Sequence, residues 1–210
     1  MTQPLDLTCS ISAKGEIDEE AGEFWVENPF TMPSKRHNLS AFERNKVYIN
    51  RDGRRFVDLS FESGADIDSD SRSVVVADFN RDHAPDLLIG NVGGGPLRLF
   101  ANRIGLAANR VRVQLVGVQS NRAAIGARVI AHCGDRRIVR DLFAANGFMG
   151  QSPPELIVGV GAAEQIDRLE VRWPSGSVQE FESVGVNQDL TITEGQEDFE
   201  AVPWAETTAH

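Results

Sequence analysis

Between residues 110 and 195 the chain breaks into seven short runs rich in β-branched and aromatic residues. They are RVRVQLVGV, ARVIAHC, RRIVRDLFA, ELIVGVG, DRLEVRW, VQEFESV and DLTITEG, and turn signals appear at CGDR, NGF and PSGS. β-Branched and aromatic side chains suit a pleated, half-buried surface, and Gly, Asp, Asn and Pro suit the bends between strands. No long segment repeats its apolar residues every 3.6 positions, which removes the amphipathic helix as an organising element. The first run alternates: Val111, Val113 and Leu115 face one way, and Arg110, Arg112 and Gln114 the other. The spacing predicts an all-β protein with a seven-stranded β-sandwich or barrel over residues 104–196.

The same signals begin earlier. KVYIN and RFVDLS flank the Asp-Gly turn RDGR, and SVVVADF, DLLIGN and PLRLFANR follow. Residues 44–103 are therefore expected to form an antiparallel, propeller-blade-like sheet that is packed on the sandwich or followed by it. Residues 1–43 are acidic and then proline-interrupted in ENPFTMPSKRHN. They read as an extended arm with Phe24, Trp25 and Phe30 as anchors. Residues 197–210 read as a polar tail.

The chemistry-bearing feature is DFNRDHAPD, residues 78–86, between two apolar runs. Asp78, Asn80 and Asp82 fall at alternate positions, Ala84 can add its main-chain carbonyl, and Asp86 closes the set from the next strand. Hard divalent cations take such oxygen ligands, and calcium tolerates their irregular geometry better than magnesium does. Zinc is disfavoured because the set holds no cysteine or usable histidine. An EF-hand needs glycine at loop position 6 and glutamate at position 12. His83 and Ile89 stand there, between strand-like flanks. The expectation is a nine-residue strand-loop-strand calcium site, with His83 where glycine would ease a left-handed backbone. DIDSDS also alternates Asp66, Asp68 and Asp70, but its ninth position is Val74, so it reads as a solvated acidic loop.

SRSVVVADFNRDHAPDLLIGNVGGGPLRLFANR resembles an FG-GAP/VCBS-type repeat, with Asp78, Asn80, Asp82, Asp86 and Leu87 on the pattern and His83 replacing the usual glycine. The following segment resembles the ASPIC/UnbV domain of the cartilage acidic protein and UnbV families. The matching pieces are SNRAAIGARV, NGFMGQS, VGVG and IDRLEVRWPSGSVQ, and together the resemblance spans roughly residues 45–185. It implies a domain that follows a calcium-binding propeller, often exported, with no catalytic mechanism to carry over. A propeller needs several four-stranded blades, and this chain offers sequence for about one. The open sheet edges must then be covered by the second β domain, the N-terminal arm, an oligomer or a partner chain.

A formal net charge of -10 argues against phosphate-backbone binding and against docking on an anionic membrane, and no apolar run reaches the length of a span. The start lacks a basic then apolar leader pattern. As read, the chain is cytoplasmic, or extracellular if a leader was removed. Cys9 and Cys133 could form one disulfide; two free thiols are expected. NVGGGP lacks the following Lys-Ser/Thr of a phosphate loop, and Ser152 lacks a nucleophile elbow. His132 and Cys133 are strand neighbours pointing to opposite faces, which argues against a catalytic pair. Trp173 alternates with Leu169 and Val171 and belongs to the core. Asp167 is expected to hydrogen-bond the turn around SNR, and NLS at 38–40 fits a glycosylation acceptor. The reading is a non-catalytic, calcium-binding module that recognises a protein or glycan. An enzyme, or an accessory subunit of a natural-product biosynthetic complex, is the alternative.

Overall fold

In the computed structural model, residues 44–51, 53–67, 71–91, 96–104, 107–143, 145, 147 and 150–204 are described. The arm with Phe24, Trp25 and Phe30, the NLS tripeptide, Cys9, Asp68, Asp70 and the glycines of NVGGGP lie outside them.

Every regular element among the described residues is a strand. The first five are β1 (Tyr48–Arg51), β2 (Arg55–Asp58), β3 (Ser71–Ala77), β4 (Asp86–Asn91) and β5 (Arg98–Phe100). The Asp-Gly signal holds: β1 and β2 pair antiparallel, Gly53 has φ +67°, and its N–H donates to Asn50 Oδ1 at 2.9 Å. The single blade-like sheet expected over 44–103 is instead two sheets, the β1–β2 hairpin and a three-stranded sheet in the order β3-β4-β5. The chain between β2 and β3 spends itself on turns closed by Ser63 N to Leu59 O and Gly64 N to Phe61 O, with Gly64 at φ +69°.

The remaining strands are β6 (Asn109–Val116), β7 (Arg128–Cys133), β8 (Arg136–Asp141), β9 (Glu155–Gly161), β10 (Gln165–Arg172), β11 (Val178–Gly185), β12 (Gln188–Thr193) and β13 (Glu200–Pro203). They form two four-stranded sheets, β11-β10-β7-β8 and β13-β12-β6-β9. The result is a sandwich, not a closed barrel. All pairs are antiparallel except β12 with β6, which run parallel with Leu190 opposite Val113 and Ile192 opposite Leu115.

The core lies between the two sheets. Val111, Val113 and Leu115 are buried as their alternation requires, and meet Val129, Ala131, Val158, Val160, Leu169, Val171, Leu190 and Ile192. Trp173 joins this core at 4% exposure. Cys133 is buried there with a free thiol, while His132 points outward and sits 3.2 Å from an Arg168 nitrogen. Burial raises the Cys133 thiol, the opposite of what a reactive cysteine needs. Edges are closed by side chains: Arg136 and Arg140 on β8 donate to the Val160 and Ile157 carbonyls of edge strand β9.

The tail read over 197–210 is not a tail at its start. Phe199 packs edge-on against Phe181 at 5.2 Å, and residues 200–203 pair with β12 as an eighth sandwich strand. All four β13 side chains are exposed, so no hydrophobic alternation marks the strand.

The outer edge of β3 is covered by the second β domain. Val76 N donates to Ser152 Oγ at 2.9 Å. Side chains at Gly147 and Gly150 would lie 2.8 and 2.9 Å from the Val74 carbonyl oxygen, so only glycine lets this segment approach the strand so closely. Ser152 therefore caps a sheet edge.

Candidate functional site

The Asp78–Asp86 loop joins β3 to β4. Its backbone enters the left-handed region twice, at Arg81 (φ 62°) and His83 (φ 65°). The position expected to favour glycine does adopt that conformation, carried by a histidine. The two turns aim the polar side chains inward. Asp78, whose side chain is 2% exposed, accepts the Asp82 amide at 3.1 Å and the His83 amide at 3.0 Å. Asn80 Oδ1 accepts the Asp82 amide at 3.1 Å. Asp82 accepts Asn80 Nδ2 at 2.8 Å and the Ala84 amide at 2.9 Å. Asp86, wholly buried at the start of β4, accepts Phe79 N at 2.9 Å and Asn102 N at 2.8 Å. Ala84 is buried beneath the loop.

By residue type this set suits a hard cation. A carboxylate offers about four lone-pair sites, and each of the three aspartates uses two in the hydrogen bonds above, so acceptor capacity remains. The oxygens are nevertheless turned onto loop amides. Among the described residues, no three Asp, Glu, His or Cys side chains form a group able to hold a metal ion. Of the three aspartates in DIDSDS only Asp66 is among the described residues, and its carboxylate binds Arg44 at 2.7 Å.

The loop is docked on the outer face of the sandwich. Arg112, whose alternation with Val111 and Val113 sends it outward, places Nη1 4.0 Å from Asp78 Oδ2. Arg112 is fixed by a two-pronged contact with Asp189 on β12. The His83 ring stacks on Trp204 with centroids 4.0 Å apart and planes within 4°. Trp204 Nε1 donates to Asp189 Oδ1 at 2.6 Å. Burial acts to raise the Asp189 carboxyl, but the Arg112 guanidinium and the Trp204 indole outweigh it and hold it below its ordinary value. Trp204→Ala removes both the stack and the indole donor. It should cost about 1–3 kcal/mol and raise amide exchange along β13, checked by hydrogen-exchange mass spectrometry.

A second polar centre was not anticipated from the sequence. Glu194, 6% exposed just past β12, accepts the amides of Val118, Gln119 and Ser120, each at 2.7 Å. The hydroxyls of Ser120 and Ser175 donate to its other oxygen at 2.8 and 2.6 Å. Burial acts to raise this carboxyl, but the Ser120 amide, the Ser175 hydroxyl and the Val118 amide prevail and hold it at about 2. Thus the SNR and WPSGS segments are drawn together by one buried carboxylate. Ser175 N also donates to Ser120 Oγ, and Pro174 lies against Gly126, which needs its φ of +98°. Asn121 clamps the first segment by exchanging two hydrogen bonds with Ile125. Asp167, expected to bind the SNR turn, instead accepts Gly134 N at 2.7 Å in the β7–β8 turn. A single acid between a strand and a glycine is the only linear trace of Glu194, and it is too common to single the residue out.

No curated protein matches the chain. Residues 117–198, which span most of the sandwich and every residue of the Glu194 centre, match the family model described as ASPIC and UnbV.

Proposed function

We propose that this chain is a non-catalytic recognition module whose Asp78–Asp86 loop is stabilised by calcium. The observation that carries the reading is the loop itself: alternate oxygen-bearing side chains on a doubly left-handed turn, closed by a buried aspartate. Asp78, Asn80, Asp82, the Ala84 carbonyl and Asp86 would hold the ion. Bound calcium would neutralise carboxylates that otherwise repel one another. Asp78 and Asp86 brace the loop through its amides, and Arg112 and Trp204 fix it to the sandwich. Recognition of a protein or glycan is supported by the β1–β2 hairpin, whose register puts Tyr48 and Phe56 on one side, 55% and 70% exposed.

A second reading rests on Arg112. Its guanidinium near Asp78, with the loop amides, already supplies positive charge to the aspartates, making the loop a metal-free brace. Thermal unfolding in millimolar calcium and in excess chelator separates the two. A calcium-dependent rise of roughly 5–10 °C, lost in Asp82→Ala, is expected if only the folded loop binds the ion. Equal melting temperatures in calcium and chelator would leave the Arg112 reading standing and remove calcium from the function.

A further inference from the structure

A cleft of about 490 Å³ opens between the β3–β4 connection and the outer face of β6 and β9. We propose that it binds a small organic carboxylate with an apolar body. The volume lies within the range of small-molecule sites. Val76 and Ile104, 41% and 54% exposed, line it together with Ile157, so its walls keep apolar surface open to solvent. Two guanidinium groups, Arg110 and Arg140, line it against one carboxylate, Glu155. Glu155 also acts electrostatically on Arg112. Arg140 spends Nε on the Ile157 carbonyl and one Nη1 hydrogen on the Val139 carbonyl, leaving guanidinium donors for an anion.

The floor of the cleft points the same way. Gly159 sits within β9, directly opposite Arg110 on β6. A glycine inside a strand weakens it, and is retained where the backbone needs it or where something approaches closely. Its neighbour Gly161 has φ +73°, but Gly159 does not take a left-handed conformation, and a side-chain carbon built on it would meet nothing within 4 Å. Among the described residues, nothing occupies the space above Gly159. The β-bulge between its pairing and that of Gly161 alters the local twist where Arg110 enters the cleft, a feature common beside ligand sites.

The test is a titration of the uniformly ¹⁵N-labelled chain with sodium octanoate, followed by amide shifts, with 1-octanol as the uncharged control. Saturable shifts at Val76, Asn102, Ile157 and Gly159 are expected, with octanol binding at least about tenfold more weakly. Gly159→Val should keep the melting temperature and abolish the shifts. Arg140→Gln should weaken octanoate about tenfold while leaving octanol unchanged, and it carries the test if Gly159→Val fails to fold. Shifts that do not saturate, that map elsewhere, that are equal for octanol and octanoate, or that survive in a folded Gly159→Val protein would overturn the assignment.

Discussion

Glu194→Ala lowers the melting temperature by about 10 °C or more, and Glu194→Gln by a smaller amount. The reason is the donor set. Alanine leaves three consecutive amides, Val118 to Ser120, and two hydroxyls without their acceptor. Unmet donors in a site this sheltered cost more than the net value of the bonds themselves. Glutamine keeps one oxygen for the three amides, and the Ser120 and Ser175 hydroxyls can rotate to accept from its NH₂ group. What glutamine loses is the charge that strengthens each bond.

The pH dependence identifies the charge as the cause. The Glu194 carboxyl has an ordinary value of 4.5 and is held at about 2 in the folded chain. A depressed folded value means the unfolded chain takes up the proton first as pH falls. The stabilisation is therefore complete above about 4.5 and drains away as pH drops toward 2. Asp141, held low by Arg128, and Asp189, held low by Arg112 and Trp204 against its burial, act in the same direction. Urea midpoints measured at pH 7, 4 and 2.5 should show wild type losing stability faster than Glu194→Gln, with the gap between them closing at the acid end. A gap that stays constant across that range would mean that geometry, not charge, accounts for the loss.

Much of the sandwich was legible because its core residues announce themselves locally. Val111, Val113 and Leu115 alternate with Arg110, Arg112 and Gln114; the three apolar residues are buried and Arg112 and Gln114 are not, with Arg110 the one departure, buried at the start of the strand. β13 was illegible for the converse reason. Its four side chains are all exposed, so pairing with β12 and the anchorage of Trp204 define it, and neither leaves a periodic mark. The loop spacing of Asp78, Asn80, Asp82 and Asp86 was readable because alternate side chains of a short turn share a side. Its docking was not: Arg112, Asp189 and Trp204 come from three separate strands or their flanks. Glu194 is the extreme case, since its partners lie in two loops far from it in sequence and only the fold brings them within 2.8 Å of its oxygens. The resemblance located SNR and WPSGS as motifs without saying why they accompany each other; the shared carboxylate supplies the reason.

Asp86 should prove the most sensitive position of the first five strands, whether or not the loop takes a metal. Its carboxylate is wholly buried, and its two oxygens hold Phe79 N at the start of the loop and Asn102 N just after β5. One side chain on β4 thus ties together the segments leaving β3 and β5, its neighbours on either side. Asp86→Ala leaves both amides unmet and opens a void beneath the loop, with an expected loss of about 2–4 kcal/mol. Asp86→Asn can satisfy only one of the two amides through its carbonyl oxygen, because its NH₂ group meets a second donor. It should fall between alanine and wild type. Urea unfolding followed by far-ultraviolet circular dichroism gives the three values, and running the series in chelator isolates the hydrogen-bonding role. In calcium, a metal-binding loop would widen the gap between wild type and both variants, because only wild type would gain from the ion. An Asp86→Ala protein as stable as wild type in chelator would refute the bracing role that the two amide contacts assign to this residue.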